Sequence, residues 1–366
     1  MNAYHTGKMG MAEGIALVFG LIVPRLFLSQ LADALQINGQ LLWLSMLIYT
    51  MIPLVMFFMM VYANNSVSGD IVKVCQQLVG KIGAWIIVVT YIGMFLCNGA
   101  ILLRQYAEYT LITALHRVDF QIVIIWYAIT IGIVCYLGIE ALCRTGYIML
   151  PLLLGGLIVV FVAVSPFYVI YNLTPWQGNG IMTVINSGIH SGGLNFGVLS
   201  LIFLSSAFQN SKTIKRIAIY SLGGTAILRI IFALVYTMVF GVSVGAEKVM
   251  PYFEMARLVY INQYIQRIES LFILVWVILG LLSIAGSLYI ALYLIVILLK
   301  LPTMRPLVPL GVIFIAHVAM LPPDIGYTIY LDQLLMQVAQ IGIYLFPGIL
   351  FVMALVKRRK KPCADS

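Results

Sequence analysis

Residues 20–30 read GLIVPRLFLSQ. They stand inside a long apolar segment that begins near Ala12, and two residues at its centre do not suit a helix there. Pro24 has no backbone N–H, and its ring clashes with the preceding turn. Arg25 does not shed its charge. A proline beside an arginine in an apolar segment points to a helix that stops and restarts. In a membrane such a break is tolerated only where the freed backbone groups line a cavity or meet a partner.

The composition supplies the membrane. Of 366 residues, 63% are hydrophobic and 9% charged, whereas a soluble domain carries about 25% charged residues. Ten apolar stretches suit bilayer-spanning helices: 11–34, 40–62, 82–107, 120–139, 147–170, 190–207, 217–243, 269–299, 307–321 and 335–356. The ninth is short. The expected fold class is therefore an all-α integral membrane protein of about ten transmembrane helices. Such spans exclude a transmembrane barrel, whose strands need only about 10 alternating residues. The N-terminus shows no cleavable signal pattern, so the first span is expected to be retained.

Lysines and arginines orient the chain, because short cytoplasmic loops hold most of them. With a cytoplasmic N-terminus, that side receives 14: Lys8, Lys73, Lys81, Arg144, Lys212, Lys215, Arg216, Lys300, Arg305 and the tail residues Lys357, Arg358, Arg359, Lys360 and Lys361. The opposite side receives 5: Arg104, Arg117, Lys248, Arg257 and Arg267. Arg25 and Arg229 remain in the membrane. An even number of spans returns the C-terminus to the cytoplasm. The net charge of +9 then reports topology, and nucleic acid is a poor partner for bases spread over short loops and one tail.

The chemistry of enzymes is missing. Cys75, Cys97, Cys135, Cys143 and Cys363 form no CxxC pair and no metal-ligand spacing. The four histidines are dispersed, and no nucleophile–base pattern, P-loop or glycine-rich nucleotide fingerprint occurs. The sequence implies no catalytic residues, no metal and no cofactor.

Ten spans divide into two sets of five, 11–170 and 190–356, followed by a basic tail, 357–366. Inverted repeats with interrupted helices are a common transporter plan, and the substrate sits at the interruptions. The first span of the first half breaks at Gly20–Arg25. The first span of the second half reads SGIHSGGLNFG (187–197), with Gly188, Gly192, Gly193 and Gly197. Two connections read as surface helices. Over 70–81, Ile71, Val74, Cys75, Leu78 and Val79 share one face, as in a helix lying in the interface. The segment 246–268 reads as an outer lid or a connecting helix.

Several stretches together resemble the spore germination permease family. They are LLWLS (41–45), GKIGAW (80–85), YLGIEALCRTGYIMLPLLL (136–154, with Gly138, Glu140, Arg144 and Pro151), RIESLFILVW (267–276), LPPD (321–324) and LVKRRKK (355–361). Each is weak alone; their order and spacing carry the resemblance over nearly the whole chain. The resemblance implies a B subunit of a nutrient germinant receptor, within the amino acid-polyamine-organocation superfamily. It implies a LeuT-like five-plus-five inverted repeat with discontinuous helices 1 and 6. It further implies residence in the bacterial inner membrane, that of the spore. The implied partners are a membrane A subunit and a lipoprotein C subunit, besides the bilayer and a small amino acid-like ligand.

A half-helix start presents free N–H groups that attract a carboxylate, so two such breaks suit a small zwitterion. The resemblance adds walls from the third and eighth spans. The resulting candidate ligand-binding residues are Gly20, Pro24, Arg25, Met94, Asn98, Gly193, Asn195, Phe196, Ser283 and Ser287. Arg25 departs from the family's pattern, in which a small residue stands near this point with a proline a few residues later, near Ser29. Two readings of it stand. It holds a ligand carboxylate bidentately, or it pairs with an acid such as Glu13, Glu108 or Glu269 or snorkels to the surface.

The remaining charged residues have simpler expectations. Arg229 lacks a surrounding helix break and is expected in a structural charge pair. His317 is expected as a buried, hydrogen-bonded histidine rather than a proton relay. Glu140 and Arg144, at i and i+4, form either a latch between spans four and five or a solvated pair. Arg267 and Glu269 are expected to maintain the fold or meet a partner. The function expected is a germinant-sensing subunit that binds a ligand and signals to its partners. The alternative is a proton- or sodium-coupled amino acid permease, and a third reading is a scaffold that binds no nutrient.

Overall fold

The computed structural model describes residues 9–28, 30–67, 69–259 and 268–359, the side chains of 268–272, 358 and 359 excepted. Lys8, Ser29, Arg267, Lys360 and Lys361, and the side chains of Glu269, Arg358 and Arg359, lie outside that description. Among the described residues the structure is helical, with no strand. The helices are α1 (Met11–Ile22), α2 (Gln30–Asn38), α3 (Leu42–Asn65), α4 (Ile71–Thr113), α5 (Phe120–Leu137), α6 (Ile139–Ala163) and α7 (Ile181–His190). They continue as α8 (Ser200–Phe203), α9 (Ser211–Gly245), α10 (Pro251–Arg257), α11 (Ile268–Leu299), α12 (Leu307–Ala319), α13 (Ile325–Gln340) and α14 (Phe346–Arg359).

Ten passages follow once the interrupted helices are joined. Seven helices or helix pairs are long and apolar enough to cross a bilayer, and the other three passages are interrupted or short. The first passage is α1, a 3₁₀ turn over Val23–Phe27 and α2. The sixth is α7, a 3₁₀ run over Ser191–Leu199 and α8. The ninth is α12, only 13 residues long. The tenth joins α13 to α14 through one π turn, Ile341–Leu345.

The expected breaks are where the sequence places them, but several spans start earlier, the sixth and tenth by most. The sixth passage begins at Ile181, ahead of the expected 190, and the tenth at Ile325, ahead of the expected 335. In both, polar residues lower the local hydropathy and hide the helix from an apolar-run criterion. Segment 70–81 behaves as expected: Ile71, Val74, Cys75 and Leu78 are buried while Lys73 and Gln77 are exposed. Gly80, at φ +83°, turns this surface helix into the third passage. A left-handed φ of this kind costs a side-chain-bearing residue what glycine avoids. Segment 246–268 contains the short α10, whose Tyr252 packs edge-on to Phe27 at 5.4 Å and to Phe232 at 5.7 Å.

Two surface or charge expectations are revised, and the Glu140–Arg144 pair takes the solvated one of its two expected forms. His317 is exposed on the outer face of α12, not buried. Arg144 lies 3.7 Å from Glu140 but also 3.6 Å from Glu13, so it joins the starts of passages one and five rather than four and five. Its side chain is 68% exposed, and such a pair contributes little. Arg104 pairs with Glu108 and lies 4.2 Å from the Phe120 ring centre, so Glu108 is committed away from Arg25.

Candidate functional site

At Pro24 the first helix tightens into a 3₁₀ turn and then becomes extended at Leu28 (φ −90°, ψ 179°). The interruption leaves carbonyls without helical partners, and neighbouring passages supply donors. The Tyr106 hydroxyl donates to the Pro24 carbonyl at 3.0 Å, and Ser283 Oγ donates to the Leu21 carbonyl at 3.4 Å. Tyr106 is held by stacking on Trp276, with ring centres 4.5 Å apart. The break is thus satisfied from the third and eighth passages, as backbone at membrane depth requires.

Arg25 lies in this turn, 2% exposed, and its partner is an acid that the sequence reading did not consider. Its Nη1 donates to Asp332 Oδ1 at 2.7 Å and Oδ2 at 3.0 Å. Its Nη2 donates to the Asn98 amide oxygen. Gln30 Nε2 adds a donor to Asp332 Oδ2 at 2.6 Å. Asn98 in turn donates to Ser287 Oγ at 2.7 Å, and Ser287 donates to the Ser283 carbonyl at 2.9 Å. One chain of polar contacts therefore runs from α13 through the broken first passage to α4 and α11. Glu13 accepts instead from the Gly10 N–H at 2.8 Å and forms a loose ion pair with Arg144 at 3.6 Å.

The sixth passage is interrupted because glycines let it approach its neighbours. A Cβ on Gly193 would meet the Met336 carbonyl oxygen of α13, and one on Gly197 would stand 2.9 Å from Leu21 Cβ of α1. Asn195, fully buried, donates to the Tyr49 carbonyl at 2.7 Å and accepts from Arg229 Nη1 at 2.8 Å. The Arg229 guanidinium also lies 4.6 Å from the Tyr49 ring centre. This overturns the expectation of a structural charge pair: the partners described are a neutral amide and an aromatic face.

A cavity of about 320 Å³ opens between α2, α3, α7, α9 and α13. Ser45, Tyr49, Arg25 and Arg229 form its buried floor, and Ile37, His190, Gln333 and Gln337 stand exposed at its mouth. Among the described residues, the third and eighth passages do not contribute to its lining. Of the ten candidate residues, Arg25 lines it and Asn195 stands behind Arg229. Asn98, Ser283 and Ser287 face Arg25 and the break rather than the open space. Met94 packs against Gly342 in the π turn, and Phe196 packs edge-on to Phe95 at 5.0 Å. Gly20 has nothing within 4 Å of where a Cβ would lie. The residues missed, Arg229 and Asp332 with Gln333, Gln337 and Gln340, include a polar stripe at helical spacing on α13. That stripe was the available signal.

Ten passages, two of them broken beside a cavity that two buried arginines reach, define a membrane protein of the transporter class with a LeuT-like fold. Solved structures agree on the fold. MhsT in complex with L-phenylalanine matches with a TM-score of 0.66 at 12% identity, over 96% of each chain. A Na⁺-coupled sialic acid symporter in a substrate-bound outward-open state matches with 0.67 at 15% identity, over 91% of this chain and 78% of that one. The nucleobase-cation-symport-1 family transporter Mhp1, closed with bromovinylhydantoin bound, matches with 0.66 at 15% identity, over 97% of this chain and 79% of that one. The family model for spore germination proteins matches residues 10–325, and the chain belongs to that family. No curated protein sequence matches it.

Proposed function

We propose that this chain is the germinant-sensing membrane subunit of a spore nutrient receptor. It takes a small amino acid-like ligand between its broken first and sixth passages and signals to an A subunit and a lipoprotein C subunit in the spore's inner membrane. One observation carries the reading: the cavity of about 320 Å³ lies between α2 and α7, one half of each interrupted helix, with two buried guanidinium groups at its floor. Small-molecule sites run from about 300 to 1,000 Å³, so this one suits a small ligand. Asn98, Ser283 and Ser287 act by holding Arg25 and the break in place. Signalling requires that the ligand bind one arrangement of the halves more tightly than the other.

The second reading, a proton- or sodium-coupled amino acid permease, draws on the fold shared with transporters solved with substrates bound. A paired experiment separates the two. Spores carrying or lacking the chain are exposed to an amino acid panel, and the purified protein is tested for uptake of the same panel into proteoliposomes. A germination defect without uptake supports the sensor. Uptake by the protein alone, with germination unaffected by its deletion, supports the permease.

A further inference from the structure

We infer that Arg229, on the seventh passage, is the residue that receives the ligand's acid group, so that the site selects small amino acids and related monocarboxylates. The inference rests on the cavity being the ligand site, and it assigns the anion to Arg229 rather than to Arg25.

The charges facing the cavity decide between the two arginines. Arg25 is already neutralised, with Asp332 at 2.7 Å and both terminal nitrogens engaged. Arg229 is equally buried, at 2% exposure, yet its described partners carry no charge: the Asn195 amide oxygen at 2.8 Å and the Tyr49 ring at 4.6 Å. No carboxylate lies within ion-pair distance of it among the described residues. Its Nε is buried and has no hydrogen-bond partner among the described residues. A buried cation without a counter-charge is costly, and an amide and a ring offset only part of that cost. Guanidinium offers five donors in a planar fork that matches a carboxylate. A ligand carboxylate supplies both the missing charge and the missing acceptor.

The same lining also offers a group for the ammonium end of a zwitterion. Asp33 of α2 lines the same cavity, half-buried, and accepts from Gln333 Nε2 at 3.3 Å. It is the cavity's free carboxylate, because Asp332 is taken by Arg25. An amino acid bound with its carboxylate on Arg229 therefore presents its ammonium group toward Asp33. Asn195 fixes the guanidinium from the sixth passage, which couples the ligand's acid group to the helix break.

The test uses the full-length protein in lipid nanodiscs. Proteinogenic L-amino acids and their α-carboxamides are titrated against wild type, Arg229→Gln and Arg229→Lys. Wild type should bind one or more acids and prefer each over its carboxamide. Arg229→Gln should weaken acid binding on the order of 100-fold, as expected for removing one partner of a buried charge pair, and abolish the preference. Arg229→Lys should weaken acid binding in part and leave carboxamide binding unchanged. If Arg229→Gln does not fold, Arg229→Lys decides alone: equal acid affinity in Arg229→Lys and wild type overturns the assignment. So does a preference for acid over carboxamide that survives in Arg229→Gln, or wild type that binds both equally. Wild type that binds neither class overturns the cavity reading itself, and the assignment with it.

Discussion

Nη1 of Arg25 stands 2.7 and 3.0 Å from the two carboxylate oxygens of Asp332, although 307 positions separate them. The pair ties the break in the first passage to the middle of α13, in the first half of the tenth passage. Both side chains are buried, at 2 and 3% exposure. Such pairs gain little over an apolar replacement, because desolvation offsets attraction; losing one partner is what costs.

Asp332→Asn should therefore destabilise the protein by about 3–5 kcal/mol, since it leaves Arg25 buried without its counter-charge. The double change Arg25→Met with Asp332→Leu should cost far less than Asp332→Asn alone. Thermal unfolding in one detergent, followed for wild type and the two variants, checks this. Equal losses in the single and double variants would show that the two charges are not energetically coupled.

Asn98 spans two neighbours, accepting from Arg25 and donating to Ser287 at 2.7 Å. Asn98→Ala, Ser287→Ala and the double variant form a cycle whose interaction energy should fall between roughly 0.5 and 3 kcal/mol, as for residues in one hydrogen-bond network. The measurement is the same melting series. An interaction energy near zero would detach the eighth passage from the Arg25 network.

Much of this was legible in the chain. Pro24 and the glycines at 192, 193 and 197 are local rules of backbone chemistry, and they mark both interruptions without reference to anything distant. Of the residues expected from the third and eighth passages, Asn98, Ser283 and Ser287 reach the first break, whereas Met94 packs against Gly342 and none of the four lines the cavity. What was not legible is pairing across sequence distance. Asp332 fell outside the expected tenth span, because Asp332, Gln333, Gln337 and Gln340 depress its hydropathy, and so Arg25 was offered the wrong acids. Arg229 was misread for a related reason. Its importance comes from what its neighbours lack, a carboxylate, and an absence of that kind has no local signature.

The close approach of the sixth passage to the tenth gives a steric prediction. Gly193→Ala places a Cβ against the Met336 carbonyl oxygen, which belongs to backbone and has little room to yield. Overpacking of this kind costs about 1–3 kcal/mol. Gly20→Ala is the control on the other broken helix, where nothing lies within 4 Å, and it should change stability by no more than about 0.5 kcal/mol. Melting temperatures of the two variants should separate clearly. Similar values would mean that the two passages do not meet at Gly193.

The charge asymmetry gives a topological prediction. Lysines and arginines concentrate on the side that holds Lys73, Lys81, the start of α9 (Lys212, Lys215 and Arg216) and the tail residues 357–361, while the 164–180 connection carries none and 246–267 carries three. We expect the first side to be cytoplasmic, because translocating short loops rich in these residues is unfavourable. Single cysteines at exposed positions test it in a background lacking the native ones. Lys73→Cys and Lys212→Cys should resist a membrane-impermeant maleimide in intact cells and react after permeabilisation. Trp176→Cys, in the opposite connection, should react in both. The reversed pattern would put the mouth of the cavity on the cytoplasmic side. Ile37 and His190 stand at that mouth, on α2 and α7, the half-helices next to the 164–180 connection. An outward-facing sensor could not then receive its ligand through it.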